Sequence, residues 1–128
     1  MKIEHIACQL QDPVAAAHWY VQHLGMTVKR SQADRPFMRF LADDGDAVML
    51  EFYNNPKAPV PDYRAIDPLV FHIAFQTDDV EGTRRRLIAA GATAEGDIQM
   101  TAGGDTLAML RDPWGLPIQL ALRTTPMI

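Results

Sequence analysis

Four residues able to bind a metal ion, His5, Glu51, His72 and Gln119, recur at matched spacing along this chain of 128 residues. His5-Ile6-Ala7 returns 67 positions later as His72-Ile73-Ala74, and Glu51 in Met49-Leu50-Glu51-Phe52 has its counterpart 68 positions on, at Gln119 in Ile118-Gln119-Leu120. A duplication that keeps four such groups in register inside apolar stretches points to a pseudo-two-fold site where all four converge. Taken singly, a strand histidine or a half-exposed glutamate reads as a hydrogen-bonded structural residue. The matched spacing and shared face favour a metal site over that reading. Two neutral imidazoles, one carboxylate and one amide oxygen suit one divalent ion per site, Zn²⁺, Ni²⁺, Co²⁺, Mn²⁺ or Fe²⁺, with positions left for water or substrate.

Strands and helices must carry these groups. Lys2 to Gln9 reads as a strand, and Asp12-Pro13 supplies an N-cap and a proline at the first helical position. That helix runs to Leu24, where Gly25 can take the left-handed stop conformation. Strands near Thr27 to Ser31, Phe37 to Ala42 and Ala47 to Tyr53 complete a β-α-β-β-β unit. The second copy has a strand at Leu69 to Gln76, then a helix starting at Asp78 with Glu81 as in a capping box, stopped by Gly91. Strands follow at Thr93 to Gln99, Thr106 to Arg111 and Pro117 to Leu122, the last two joined by an Asp112-Pro113-Trp114-Gly115 turn. The expected organisation is a first module over 1–53, a linker over 54–68 with four prolines, and a second module over 69–123. Together these make one structural domain in which neither half is stable alone.

Side chains alternate along a strand, so each candidate ligand has a face. Val48, Leu50 and Phe52 oppose Glu51, which shares its side with Met49 and Tyr53. Phe71, Ile73 and Phe75 oppose His72, Ile118, Leu120 and Leu122 oppose Gln119, and Ile6 and Cys8 oppose His5. The apolar faces are expected to pack on the helices, leaving the four polar residues on a concave second face. The fold class is α+β: two tandem βαβββ modules forming a curved, cup-like mixed sheet with helices on the outer face.

Composition narrows the partners. The formal charge is −4, and the basic run Arg84-Arg85-Arg86 falls on a helix, so nucleic acid is not expected. No apolar stretch is long enough to span a membrane and no apolar signal segment follows Met1, so a soluble, cytoplasmic protein is expected. Cys8, the single cysteine, reads as a small core residue. His18 and His23 lie on the first helix without duplicated partners and read as surface or packing residues. Met26, Met38, Met49, Met100 and Met109 read as core or pocket lining.

The residues resemble the vicinal oxygen chelate superfamily, the paired β-α-β-β-β fold of glyoxalase I, extradiol dioxygenases, methylmalonyl-CoA epimerases, fosfomycin-resistance transferases and bleomycin-binding proteins. The likeness covers nearly the whole chain. It is carried by Ile3-Glu4-His5-Ile6-Ala7, Trp19-Tyr20 with Leu24-Gly25-Met26, Met49 to Asn55, Phe71-His72-Ile73-Ala74, and Asp112-Pro113-Trp114-Gly115 running into Ile118-Gln119-Leu120. Within the superfamily it is nearest to bacterial glyoxalase I, whose four ligands fall at positions matching His5, Glu51, His72 and Gln119. Two departures stand out. Glyoxalase I usually has glutamate in place of Gln119, and it has a basic residue for glutathione in the glycine loop that here reads Met100-Thr101-Ala102-Gly103-Gly104. Asn55 matches an asparagine that contacts glutathione in glyoxalase I.

The resemblance implies a metal-dependent isomerase or lyase of the glyoxalase type, acting on a small substrate with vicinal oxygens through a metal-stabilised enediolate. Glu51, the one carboxylate of the set, is then the general base, since Gln119 coordinates but takes no proton at neutral pH. Met49, Tyr53 and Asn55 are the expected substrate contacts. Epimerisation normally needs an acid–base group on each face, and an extradiol dioxygenase or metal-dependent fosfomycin transferase expects a carboxylate at position 119. A glyoxalase-type isomerase loses least from the amide. The alternatives are a non-catalytic antibiotic- or metabolite-binding protein of the bleomycin-resistance type, and an extradiol dioxygenase. The implied assembly is a homodimer.

Overall fold

In the computed structural model of the chain, which describes residues 1–127, Asp12-Pro13 starts the first helix, α1 (Pro13–Leu24). The Asp12 carboxylate accepts from Ala15 N at 3.0 Å, the proline sits where no helical donor is needed, and Gly25 ends the helix at a φ of 71°. Around α1 run β1 (His5–Gln9), β2 (Thr27–Ser31), β3 (Arg39–Ala42) and β4 (Met49–Tyr53). Their order in the sheet is β1-β4-β3-β2, with β1 parallel to β4 and the other pairs antiparallel. The second set, β5 (Ile73–Gln76), α2 (Val80–Ala89), β6 (Thr93–Met100), β7 (Thr106–Arg111) and β8 (Pro117–Leu122), repeats this topology as β5-β8-β7-β6. Two such sheets with one helix each are the tandem βαβββ modules of an α+β fold.

Two compact units result, the first spanning Met1–Pro61 and the second beginning at Asp62, so the proline-rich segment is divided between them. Its first part is fastened to the first unit: Asn54 Nδ2 donates to the carbonyls of Leu10 at 3.0 Å and Gln11 at 2.9 Å. Its second part is fastened to the second unit. There the buried Arg111 donates from Nη1 to Tyr63 O at 2.7 Å and from Nη2 to Ile66 O at 3.0 Å.

Each unit has its own apolar core. In the first, Leu50 and Phe52 are buried while Met49, Glu51 and Tyr53 are half-buried, which is the alternation of a strand with one face on a helix. Phe52 meets Tyr20 of α1 edge to face at 4.8 Å between ring centroids, and its burial stabilises by roughly 2–3 kcal/mol. In the second unit Leu87 of α2 is fully buried, as are Leu110 of β7 and Ile118 and Leu120 of β8, on the strands that α2 packs against.

Several boundaries differ from the sequence expectation, and local polar bonds account for them. β3 begins at Arg39 because Phe37 adopts a positive φ of 55° and bonds back to Asp34 O, extending the turn. β5 begins at Ile73 because Asp67 captures Leu69 N at 2.8 Å through its side chain and Val70 N at 2.9 Å through its carbonyl. Apolar Leu69 and Val70 therefore lie in an exposed turn, and His72 stands just before the strand. The cap of α2 is Asp79, not Asp78. Its carboxylate accepts from Gly82 N at 2.8 Å, and a glycine at that position leaves no side chain to complete a capping box.

Candidate functional site

In the first unit, β1 and β4 run parallel with Ala7 opposite Glu51 and His5 opposite Met49. His5 therefore stands diagonally from Glu51, and its Nε2 lies 3.4 Å from Glu51 Oε2. Two further contacts fix the imidazole. Its Nδ1 bonds the Glu4 carboxylate, and Phe40, the cross-strand partner of Glu51 on β3, meets the ring edge to face with centroids 5.2 Å apart.

This arrangement has an electrostatic consequence. With Nδ1–H donating to Glu4, the neutral ring carries its lone pair on Nε2, and the Glu51 oxygen it faces is also an acceptor. Two electron-rich atoms in that position call for a positive centre between them, either a proton or a cation. An imidazole nitrogen and a carboxylate oxygen 3.4 Å apart are close enough for one cation to be held by both. The pair fits a divalent ion.

In the second unit, His72 Nδ1 lies 2.7 Å from Pro68 O. A carbonyl can only accept, so Nδ1 carries the hydrogen and the neutral ring keeps its lone pair on Nε2, as in His5. Gln119 is half-buried on β8, opposite Ala74 of β5 and Met109 of β7. The Ala74–Gln119 pairing repeats the Ala7–Glu51 pairing, each with a histidine two residues before the alanine. Each unit thus offers a histidine whose Nε2 lone pair can bind an ion and a side-chain oxygen at equivalent positions. Among the described residues no group of three or more His, Cys, Asp or Glu side chains gathers around a common point.

Of the expected substrate contacts, Met49 and Tyr53 are half-buried and share the Glu51 face. Met49 also lines an open depression of about 410 Å³ together with Glu4, Lys29 and Asp46, in which Lys29 and Asp46 pair at 2.6 Å. Asn55 Oδ1 accepts from Lys57 N at 3.0 Å, which commits this oxygen to a tight turn.

Sequence reasoning passes over three residues that shape this region. Gln9, on the His5 side of β1, is buried and grips the chain after β4. A glutamine in an apolar strand at even spacing from a candidate ligand is a usable signal. Phe40 gives no signal without the register. Glu4 stands just before β1, its carbonyl bonded to Met49 N at 3.0 Å, and its carboxylate bonds its neighbour's ring. Elsewhere Cys8 is buried, and His23 packs against Trp19 with ring centroids 5.3 Å apart.

Residues 2–120 match the family model described as the Glyoxalase/Bleomycin resistance protein/Dioxygenase superfamily. No curated protein matches the chain. Among solved structures, SMU.1112c is 30% identical, with 94% of this chain and 98% of that one covered at a TM-score of 0.72. TnmS3, an antibiotic binding protein from Streptomyces sp. CB03234, is 21% identical, with 97% of each chain covered at a TM-score of 0.71. A glyoxalase/bleomycin resistance protein/dioxygenase family enzyme from Burkholderia phytofirmans PsJN is 22% identical, with 95% and 98% covered at 0.77. The last two likenesses are likenesses of fold. No helix among the described residues is long and apolar enough to cross a membrane.

Proposed function

Because the chain belongs to the glyoxalase/bleomycin resistance protein/dioxygenase superfamily, we propose that it is a divalent-metal-dependent isomerase or lyase of the glyoxalase type acting on a small substrate with vicinal oxygens. His5, Glu51, His72 and Gln119 are the proposed ligands. The observation that carries this reading is that His5 Nε2 faces Glu51 Oε2 at 3.4 Å, a nitrogen and an oxygen of the types that would hold a divalent ion. The Nδ1 partners of His5 and His72 support it, since in each neutral ring a hydrogen on Nδ1 leaves the Nε2 lone pair for an ion.

A divalent ion, when bound, would polarise a carbonyl and accept negative charge on two neighbouring substrate oxygens. The proton work falls to this chain's own groups. Glu51 is the proposed base, removing a proton from the carbon beside the carbonyl and returning it to the adjacent carbon. Gln119 offers an amide oxygen and no proton acceptor, so one carboxylate serves both transfers. Met49 and Tyr53, beside Glu51 on its face, are the proposed walls against which substrate lies, with Asn55 at the end of β4.

Elemental analysis of protein purified without a metal-affinity tag tests the site. About one divalent ion per chain in the parent and none in His5→Ala/His72→Ala is the expected result. Glu51→Gln is then expected to lower turnover by about 10²–10⁴-fold. A Glu51→Gln variant with the parent's rate and metal content would remove Glu51 as base. Small-molecule binding without turnover is the second reading, supported by the likeness of fold to an antibiotic binding protein. Equilibrium dialysis against a metabolite pool separates the two, because a ligand recovered unchanged favours binding and a converted one favours catalysis.

A further inference from the structure

We infer that Glu4 is a positioning residue for His5 and supplies a second negative charge to the proposed metal site. The inference rests on that site and adds to it. Counted over His5, Glu51, His72 and Gln119, the proposed ligands carry one negative charge against a dication, because the position equivalent to Glu51 holds an amide. The two histidines differ in what stands behind them. His72 Nδ1 is held by the neutral Pro68 carbonyl at 2.7 Å, whereas His5 Nδ1 is held by the Glu4 carboxylate.

A carboxylate behind a ligating imidazole does two things. It fixes the ring and its tautomer, and it makes the far nitrogen a stronger electron donor. Here it acts with Phe40, which meets the ring edge to face, so that Nε2 is directed at Glu51. Glu4 is held beside the ring because its carbonyl accepts from Met49 N of β4 at 3.0 Å, which fixes its backbone next to His5. Lys29, which lines the same depression, is engaged by Asp46 at 2.6 Å. The charge that Gln119 lacks is thus supplied one residue before the first ligand.

Titration of Co²⁺ into metal-free protein tests this without reference to catalysis, reading Kd by competition with a chromophoric chelator and coordination by the visible Co²⁺ spectrum. Glu4→Gln keeps an oxygen that can accept from Nδ1–H and removes the charge, so Kd is expected to rise about tenfold with the spectrum unchanged. Glu4→Ala removes both and is expected to raise Kd by up to about 100-fold. Adding Gln119→Glu to Glu4→Gln is expected to bring Kd back towards the parent value, a rescue that general structural damage would not give. If Glu4→Ala binds Co²⁺ as the parent does while His5→Ala loses it, the role of Glu4 is overturned and the metal site stands. Undiminished binding by His5→Ala would overturn both.

Discussion

The side-chain amide of Gln9 closes on the backbone of Asn55 from both ends. Its Nε2 donates to Asn55 O at 2.7 Å and its Oε1 accepts from Asn55 N at 2.9 Å. Nε2 also donates to Ala58 O at 2.5 Å, so one buried side chain sets the course of the chain leaving β4.

Gln9→Leu keeps the approximate volume and strands Asn55 N and Ala58 O, while Asn55 O keeps its bond from Ala58 N at 3.2 Å. It is expected to destabilise by about 1–3 kcal/mol, since each unsatisfied buried group costs about 1–3 kcal/mol and water recovers part of that at a half-buried turn. Urea unfolding measures it. A loss below about 0.5 kcal/mol would mean that the turn holds itself.

Arg111 makes a second clasp of the same kind. Its guanidinium serves the carbonyls of Tyr63, Ile66 and Gly115 and also pairs with Glu95 on β6. Lysine presents a point charge, not a planar fork, so Arg111→Lys is expected to lose about 1–3 kcal/mol, and Arg111→Met more. Amide hydrogen exchange should quicken first over residues 63–66. Unchanged exchange there would show that Arg111 does not hold the segment.

Asp105 predicts a pH dependence. A hydrogen bond from Arg123, with further bonds from the Thr124 backbone and hydroxyl, holds its carboxyl below the usual aspartate range. A carboxyl depressed in the folded state binds its proton more readily when unfolded. The stability it confers is therefore fully present above the unfolded value of about 3.9 and is lost as pH falls through the lower folded value. Urea midpoints of the parent and Asp105→Asn should differ most above about pH 5 and converge in acid. A difference that is constant with pH would contradict the assignment.

Chemically distinctive positions made much of the fold legible. Asp12-Pro13 and Gly25 mark both ends of α1, and the alternation of Leu50 and Phe52 with Glu51 fixes the buried face of β4. Hydropathy misleads at Leu69 and Val70, which are 85% and 80% exposed because Asp67 bonds their backbone into a turn, and no apolar pattern records such a bond. In the candidate site, matched spacing leads to His5 and Glu51, which the structure brings to 3.4 Å. Glu4 and Phe40 depend on a cross-strand backbone bond and a register, neither of which is local to the residue concerned.

Parallel pairing of β1 with β4 also dictates a schedule for synthesis. β1 leaves the ribosome before β2, β3 and β4, yet its sheet partner is β4, the last strand of its unit, so it waits unpaired until Tyr53 has emerged. Of the strand pairings in the unit, this one closes the longest loop and so carries the largest closure entropy. A nascent chain halted before Met49 carries His5 with neither its strand partner nor Glu51, and the first half of the proposed metal site comes into being only when translation passes β4.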